Sequence, residues 1–371
     1  MSKNILITGG AGFIGSHLCD ELLQHGYNVR VLDNLVEQVH GNNGSRQVHL
    51  HDVEFIHGDV RDSRIVEHAL KGMDAVFHFA ACVGVGQSMY QIRKYTDVNN
   101  MGTAVLLECL MRRPVARLVV ASSMSIYGEG LYAAADGTLH EDAGRTMRQL
   151  KAGDWELKGR SGEPLFPLPT PETKKPSLAS IYALSKYDQE VMCLLCGKAY
   201  GIPTVALRLF NVYGTRQSLS NPYTGVLAIF ASRLLNDNPP LIFEDGLQRR
   251  DFVNVLDVAR ACRLALETTE VDHDVFNIGS GQSYTILDIA QRMCDLLDKP
   301  DIKPSTNGKY RVGDIRNCFA DISKARKILK YQPEVSLEEG LEELSAWLDP
   351  QLAVDRVEYA GIELAARGLT I

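Results

Sequence analysis

The feature that most constrains the fold is a short apolar run followed by three evenly spaced glycines. The run spans residues 4–8, and the glycines are Gly9, Gly12 and Gly15. Gly9 allows a tight turn out of a strand, Gly12 lets the backbone approach a pyrophosphate, and Gly15 lets a helix lie close to the sheet. The free N–H groups at the start of that helix suit an anion. The spacing therefore predicts a strand, a phosphate-binding loop and a helix in succession.

A carboxylate follows at the distance that a dinucleotide site requires. A second predicted strand, residues 28–32, ends in Asp33, about twenty residues past the glycines, where a ribose diol would bind. A carboxylate at this position repels a 2′-phosphate, so the pattern favours NAD over NADP. A glycine turn without a ligand is the alternative, but it does not explain why strand, helix and acidic residue occur together.

Strand and helix patterns alternate along most of the chain. Helical patterns occupy residues 62–71 and 97–112. Further strands are predicted at residues 53–56, 75–79, 118–121, 203–209 and 274–278. This alternation indicates an α/β fold with a Rossmann-type, doubly wound parallel sheet, in which ligands gather at the carboxyl ends of the strands.

A length of 371 residues exceeds one ordinary domain. We predict an NAD-binding domain of residues 1–213 plus about 251–280, a smaller substrate-binding domain of 214–250 and 281–348, and a tail of 349–371. The segment 129–178 is rich in glycine and proline. It lies beside the active site in sequence, so we expect a lid or an oligomer contact, with a surface insertion of no consequence as the alternative.

Composition narrows the partners. A net charge of -7 disfavours nucleic acid as a partner, no apolar run approaches the ~18 residues that span a membrane, and no signal peptide is visible.

The eight cysteines are scattered, as in a reduced cytoplasmic protein. Cys193 and Cys196 fit the buried stripe of a helix better than a redox or zinc site. The spacing of His49, His51 and His57 matches no common metal site, so no metal is predicted.

A second chemical pattern combines serine, tyrosine and lysine. The predicted strand 118–121 runs into Ser122 and Ser123, while Tyr182 and Lys186 lie four residues apart on one helix face. A lysine ammonium together with an oxidised nicotinamide would lower the tyrosine pKa from its usual value of about 10. A serine hydroxyl could hold the substrate oxygen.

From residue 4 to about 345, the sequence resembles the extended short-chain dehydrogenase/reductases, in their nucleotide-sugar epimerase/dehydratase branch. The resemblance implies that Tyr182 is the catalytic base, Lys186 its partner on the nicotinamide ribose, and Ser123 an aid to proton transfer. The cofactor-binding residues predicted in this way are Gly9, Gly12, Phe13, Ile14, Gly15, Asp33, Asn34, Asp59, Val60, Phe79, Ala80, Ala81, Asn99, Ser122, Tyr182, Lys186 and Phe210.

The second half of the chain resembles the same branch. Residues 208–214 match an R-x-x-N-x-Y-G segment, residues 250–253 an R-D-F-V motif, and residues 311–314 an R-x-G-D segment. Asn254 stands where many members have histidine. Two arginines suit one diphosphate. The predicted substrate-binding residues are Val85, Ser123, Ser125, Tyr182, Asn211, Arg216, Arg250, Arg311 and Asp314.

One departure favours epimerisation. The 4,6-dehydratases of this family carry Asp-Glu directly after the catalytic hydroxyl residue, because elimination needs an acid and a base. Here these positions are Met124 and Ser125, so we predict a 4-epimerase. Tyr182 would take the proton of the 4-hydroxyl while hydride leaves C4, and hydride would return to the opposite face of the 4-keto sugar. A reductase, a decarboxylase and a non-catalytic dinucleotide sensor are the alternatives.

Three segments resemble the bacterial dTDP-L-rhamnose 4-epimerases: residues 83–90, 218–225 and 246–252. The UDP-glucose and UDP-N-acetylglucosamine 4-epimerases are close alternatives that spacing and composition do not separate. A homodimer, in which the helices of residues 97–112 and 182–200 meet their symmetry mates, is expected if the family's dimer is kept.

Overall fold

The structure is a computed structural model that describes residues 3–41 and 50–370, so His49 lies outside the described residues. Seven strands form the main sheet: β1 Asn4–Thr8, β2 Asn28–Asp33, β3 Glu54–His57, β4 Ala75–His78, β5 Arg117–Ser123, β6 Thr204–Leu209 and β7 Asp274–Ile278. Their order is β7-β6-β5-β4-β1-β2-β3, and all neighbours are parallel. The order changes direction between β1 and β4, which opens a cleft at the carboxyl ends of the strands. The predicted fold class is confirmed.

Nine longer helices accompany the sheet: α1 Phe13–Gln24, α2 Ser63–Ala69, α3 Gly102–Arg112, α4 Ile181–Tyr200, α5 Val226–Leu235, α6 Val255–Glu267, α7 Ile286–Leu296, α8 Leu337–Leu348 and α9 Val357–Ala365. Shorter helical segments are Glu37–His40, Val85–Ser88, Ile92–Tyr95, Met124–Tyr127, Met147–Lys151 and Ser323–Ile328. The predicted helix 97–112 differs in its first part, because Thr96–Met101 forms a π-helical turn before α3. No helix within the described ranges is both long enough and apolar enough to cross a membrane.

Both faces of the sheet are buried. Alternate residues of a strand point to opposite faces, so Ile5 and Ile7 pack with α1 and α6, whereas Leu6 packs with α3 and α4. Cys193 and Cys196 of α4 belong to this second cluster and are unpaired, in agreement with the interpretation that they serve packing. The two layers hold the strand ends rigidly at one edge, where the site forms.

A third hydrophobic cluster joins α5, α7 and α8 beyond the sheet. Short strands surround it: Asn211–Tyr213, Leu241–Ile242, Arg249–Arg250, Phe252–Asn254, Tyr284–Thr285, Ser305–Thr306 and Asn317–Cys318. Because this cluster draws on residues 213–348 and lies apart from the two sheet clusters, it supports the proposal of a smaller domain interleaved with the larger one.

The segment 129–178 forms a small antiparallel sheet of its own. Its strands are Leu131–Ala133, Leu139–His140 and Phe166–Leu168, with Leu131–Ala133 in the centre. Tyr132, Leu157 and Leu165 form a local core beneath it. The segment is therefore an ordered unit with its own packing.

Candidate active site

One continuous cavity of about 740 Å³ lies along the carboxyl ends of the strands. Its wall contains every residue predicted to bind cofactor or substrate except Asn99. The glycine loop and Asp33 lie in one half, which we call the dinucleotide half. Arg250 and Arg311 lie in the other, which we call the substrate half.

The glycine loop has the geometry that the sequence predicted. Gly9 has a positive φ of 73°, and a Cβ on it would lie 2.7 Å from the Ala80 backbone nitrogen. A Cβ on Gly15 would lie 2.6 Å from Gly10 Cα. A side chain at Gly9 would displace the loop from the residues after β4, and a side chain at Gly15 would displace α1 from the loop. Gly12 caps α1 without a side-chain hydrogen bond, so the first N–H groups of the helix remain available to an anion at the cavity wall.

Asp33 ends β2 with its carboxylate held in place. Its Oδ2 accepts a hydrogen bond from the Ala11 backbone at 3.0 Å, and its Oδ1 accepts one from Leu35 at 2.9 Å. Beside it, Asn34 donates to Asp59 at 3.0 Å. The pKa of Asp59 falls to about 2, chiefly because the Arg61 side chain hydrogen-bonds it. This end of the cavity thus carries two oriented carboxylates.

Asn99 differs from its predicted place at the cofactor. It is fully buried behind the cavity wall. Its Oδ1 accepts from the Cys82 backbone at 2.7 Å, and its Nδ2 donates to Ser185 at 2.9 Å. The side chain therefore ties the loop after β4 to α4, and it positions cavity residues without contacting the cavity itself.

Ser123, Tyr182 and Lys186 all line the cavity, and Ser123 hydrogen-bonds Tyr182. Ser180 caps the N-terminus of α4 by accepting from the Ala183 backbone, so Tyr182 and Lys186 lie on the first turns. The Tyr182 backbone donates to Ser88 Oγ at 3.0 Å, and the ring packs edge-on against Tyr95. Ser125 donates its hydroxyl hydrogen to Ser123 Oγ at 2.9 Å. Tyr182 is thus held through its backbone by Ser88, through its ring by Tyr95 and through a side-chain hydrogen bond by Ser123.

The pKa of Tyr182 was expected to fall through the joint effect of Lys186 and an oxidised nicotinamide, and among the protein's own groups only Ser123 lowers it. Burial raises the pKa of Tyr182, and the hydrogen bond with Ser123 opposes that rise. Burial also lowers the pKa of Lys186 to about 8. Because burial raises the pKa of Tyr182, positive charge from an oxidised nicotinamide would favour its ionisation.

Gln189 is a site residue that the sequence analysis did not identify. Its Oε1 accepts from Lys186 Nζ at 2.7 Å, and its Nε2 donates to Thr103 at 2.8 Å. It is fully buried and sets the position of the lysine ammonium. Its place three residues after Lys186, on the same helix face, was the available signal.

Ser122 lies on the cavity wall, but its hydroxyl serves the core. It donates to Glu190 at 2.6 Å, and Glu190 forms a buried ion pair with Arg208 at 2.6 Å. Arg208 begins the R-x-x-N-x-Y-G segment. The arginine of that motif therefore holds β5, β6 and α4 together, while Asn211 is the member that reaches the cavity.

The three arginines predicted to bind substrate all line the cavity. Arg250 donates to the backbone carbonyls of Arg249 and Arg316 at 2.8 and 2.9 Å. Among the described residues, no carboxylate pairs with it, so its charge is free to attract an anion. Arg311 forms an ion pair with Asp314 at 3.1 Å, and Arg216 forms one with Asp20 of α1 at 2.7 Å.

Two unsatisfied polar atoms mark the substrate half. Asn211 Oδ1 and Gln248 Oε1 are buried and lack a hydrogen-bond partner within the described part of the chain, and both residues line the cavity. Buried polar groups are nearly always paired, so these atoms indicate a polar ligand. Gln248 was not among the predicted binding residues, although it lies in the segment 246–252 that carries one of the resemblances.

Comparison with known proteins agrees with this geometry. The sequence model of the NAD dependent epimerase/dehydratase family matches residues 5–147 and 159–279. The chain belongs to this family. It is therefore an NAD-dependent enzyme of the epimerase class. The interruption of the match falls inside the segment 129–178.

A similar curated protein is the dTDP-L-rhamnose 4-epimerase of Burkholderia thailandensis, 36% identical over 94% of this chain and 96% of the relative. A similar solved structure is the UDP-glucose 4-epimerase of Thermotoga maritima with UDP-glucose, at 32% identity and a TM-score of 0.74, covering 93% of this chain and 98% of that one. The UDP-glucuronic acid 4-epimerase of Bacillus cereus, with UDP-glucuronic acid and NAD, gives 30% identity, a TM-score of 0.75 and coverage of 93% and 98%.

The residues of the dinucleotide half fit NAD. The uncapped start of α1 offers N–H groups to a pyrophosphate, and the fixed Asp33 carboxylate offers acceptors to a ribose diol. Lys186, with its ammonium held by Gln189, would lie at the nicotinamide end beside Tyr182. NAD would supply the acceptor, and then the donor, of a hydride.

Proposed function

We propose that this chain is a nucleotide-sugar 4-epimerase and that its substrate is dTDP-L-rhamnose. The observation that carries the proposal is the Ser123–Tyr182–Lys186 cluster, with Met124 and Ser125 where a dehydratase has two carboxylic acids. The cluster can move one proton at a hydroxyl group, and the two following side chains cannot catalyse elimination of water.

The chain's own residues would act as follows. Tyr182, as the phenolate, takes the proton of the sugar 4-hydroxyl. Ser123 hydrogen-bonds the phenolic oxygen of Tyr182. Its hydroxyl stabilises negative charge on the phenolate and the charge that develops on the sugar oxygen. Lys186 adds positive charge below pH about 8. With NAD as hydride acceptor and then donor, C4 would be oxidised to the ketone and reduced from the opposite face, and Tyr182 would return the proton to the sugar oxygen.

The substrate half would bind the diphosphate and base. Arg250 lacks an acidic partner within the described residues and can hold phosphate oxygens. Arg311 donates to Asp314 through Nε and Nη2, so its Nη1 group can also hold a phosphate oxygen. Asn211 would hydrogen-bond the sugar diphosphate. Val85 and Ser125 line the wall close to Tyr182 and would contact the sugar.

The choice of dTDP-L-rhamnose rests on the relative from Burkholderia thailandensis and on the three segments that resemble its subgroup. UDP-glucose and UDP-N-acetylglucosamine are the competing substrates, supported by similar proteins from Methanocaldococcus jannaschii and Methanobrevibacter ruminantium. A decarboxylase that acts on a nucleotide-sugar is also among the relatives. A non-catalytic sensor would not need Ser123, Tyr182 and Lys186 to line the same cavity.

The deciding experiment is a turnover assay without added reduced cofactor. Proton NMR would follow the C4 configuration of dTDP-L-rhamnose, UDP-glucose and UDP-N-acetylglucosamine in separate reactions. We expect dTDP-L-rhamnose to give its C4 epimer and Tyr182→Phe to abolish the conversion while NAD stays bound. Conversion of none of the three sugars would reject the epimerase and leave a reductase, a decarboxylase or a sensor.

We further propose a homodimer in the cytoplasm. Exposed apolar side chains lie on the two helical segments that would meet in a dimer: Met101, Met111, Leu184, Leu195 and Tyr200. Seven of the eight cysteines are buried, and all eight are unpaired, as is typical of a reducing compartment.

A further inference from the structure

The C-terminal segment, residues 352–370, contributes a wall of the substrate cavity. Four residues of α9 line it: Val357, Ala360, Gly361 and Leu364. Their spacing of three and four residues forms one helical stripe. Ala360 and Leu364 are each only 5% exposed, whereas Ile362 on the outer face is 68% exposed. The side of α9 that faces the cavity is therefore apolar and largely buried.

Polar contacts anchor this segment before and after α9. Asp355 accepts hydrogen bonds from the buried Arg233 at 3.2 Å and from Asn238 at 2.9 Å. At the other end, the Val312 backbone donates to Leu369 at 2.9 Å, next to a bridge between Arg311 and Thr370. These anchors hold the segment against α5 on one side and the R-x-G-D segment on the other.

The path of the segment identifies the part of the cavity that it covers. Leu364 packs on Gly86, where a Cβ would come within 3.2 Å of Leu364 Cδ2. Gly86 lies two residues before Ser88, whose hydroxyl accepts from the Tyr182 backbone. At its end, Thr370 lies beside Arg311. The segment thus runs from the neighbourhood of the catalytic tyrosine to the arginine that would hold the nucleotide.

We propose that the C-terminal segment is a substrate-binding element and that Leu364 determines sugar specificity by covering the C5 substituent with an apolar surface. This inference rests on the proposed function, since it assumes a nucleotide-sugar in the cavity. An apolar wall accepts the methyl group of a 6-deoxy sugar. It leaves the hydroxyl of a hydroxymethyl group or a carboxylate without a partner, which opposes their burial.

The test compares two alanine substitutions on α9 that remove the same number of side-chain carbons. Leu364→Ala removes apolar surface from the cavity, and Ile362→Ala removes it from the solvent face. We expect Leu364→Ala to raise KM for dTDP-L-rhamnose about tenfold or more, with a smaller change in kcat and an unaltered NAD content. Its effect on the UDP-glucose reaction should be smaller. Ile362→Ala should match the wild type in each of these measurements.

Equal kinetics of the two variants would overturn the inference. If Leu364→Ala fails to fold, Leu364→Val, which removes one methylene group, replaces it with a smaller expected rise in KM, and a chain that ends after Pro350 tests the segment as a whole. The shortened chain should keep NAD and bind dTDP at least tenfold more weakly by calorimetry; unchanged dTDP affinity would overturn the inference. A wild-type chain that binds dTDP but converts no sugar would reject the proposed function, while the dTDP comparison would still test the C-terminal segment.

Discussion

Tyr182 illustrates how a single residue depends on neighbours from distant parts of the chain. Its backbone is held by Ser88, its ring by Tyr95 and its phenolic oxygen by Ser123. Burial raises its pKa, and Ser123 is the neighbour within the protein that lowers it. The serine is therefore expected to act on the ionisation of the tyrosine as well as on the substrate.

We predict that Ser123→Ala lowers kcat about 10²- to 10⁴-fold. Without the serine hydrogen bond the phenolate is less stable, so the pKa of Tyr182 rises and the acidic limb of the kcat profile moves to higher pH. The pH dependence of kcat would measure this shift. Ser125→Ala, which keeps the Ser123 hydroxyl, should cause a smaller loss. An unchanged profile in Ser123→Ala would contradict the role assigned to the hydrogen bond.

Asp33 supports a prediction on cofactor choice. Its carboxylate is only 8% exposed and is fixed by two backbone donors, so it cannot turn away from a 2′-phosphate. After removal of bound cofactor, NAD at a hundred times its Kd should stabilise the protein by about 2.7 kcal/mol. NADP at the same concentration should give little stabilisation. Thermal unfolding would measure both, and equal rises in Tm would contradict the prediction.

Among the elements, the segment 129–178 has a different position from the one expected of a lid. None of its residues, all of which the structure describes, lines the cavity. It packs behind the substrate half through ion pairs to buried side chains instead. Arg145 pairs with Glu244 at 2.7 Å, and Glu156 pairs with the fully buried Arg316 at 2.5 Å. The lid interpretation of the sequence is therefore wrong, and the segment supports the wall from outside.

Arg316 is the centre of this support. Its guanidinium also pairs with Glu244 and Asp245, at 2.9 and 2.6 Å. Arg316→Met removes one of the two arginine partners of the buried Glu244 and the ion pair of the partly exposed Asp245, so we expect the free energy of unfolding to fall by about 3 kcal/mol. Urea unfolding would measure it. Arg160→Met removes a highly exposed pair with Asp142 in the same segment and should change stability little. Equal effects would contradict the support role.

The exposed apolar residues of α3 and α4 lead to a prediction on the oligomeric state. Leu195 of α4 is 64% exposed, which a dimer would explain. We expect Leu195→Glu to convert a dimer into a monomer, because a carboxylate is costly to bury at an apolar interface. Sedimentation would measure the mass. Leu139→Glu, which alters a 59% exposed leucine of the segment 129–178, should leave the dimer intact. A wild-type monomer would contradict the proposal.

At the scale of the whole molecule, the cavity is built from both ends of the chain. The dinucleotide half comes mainly from the first hundred residues, and the substrate half comes from residues after 209 together with α9. The tail of 349–371 had no predicted role, and yet part of it lines the cavity. Substrate binding should therefore be more sensitive than cofactor binding to changes near the C-terminus.

Local patterns in the sequence were sufficient to predict the glycine loop and the alternation of strands and helices. They also selected Ser123, Tyr182 and Lys186, which line the cavity. Each of these depends on backbone sterics, side-chain period or chemistry at short spacing. Three features required the tertiary structure: the burial of Asn99, the pairing of Arg316 with Glu156, and the contact of Leu364 with Gly86. Each joins residues distant in sequence, and only the packing of the folded chain decides which of them meet.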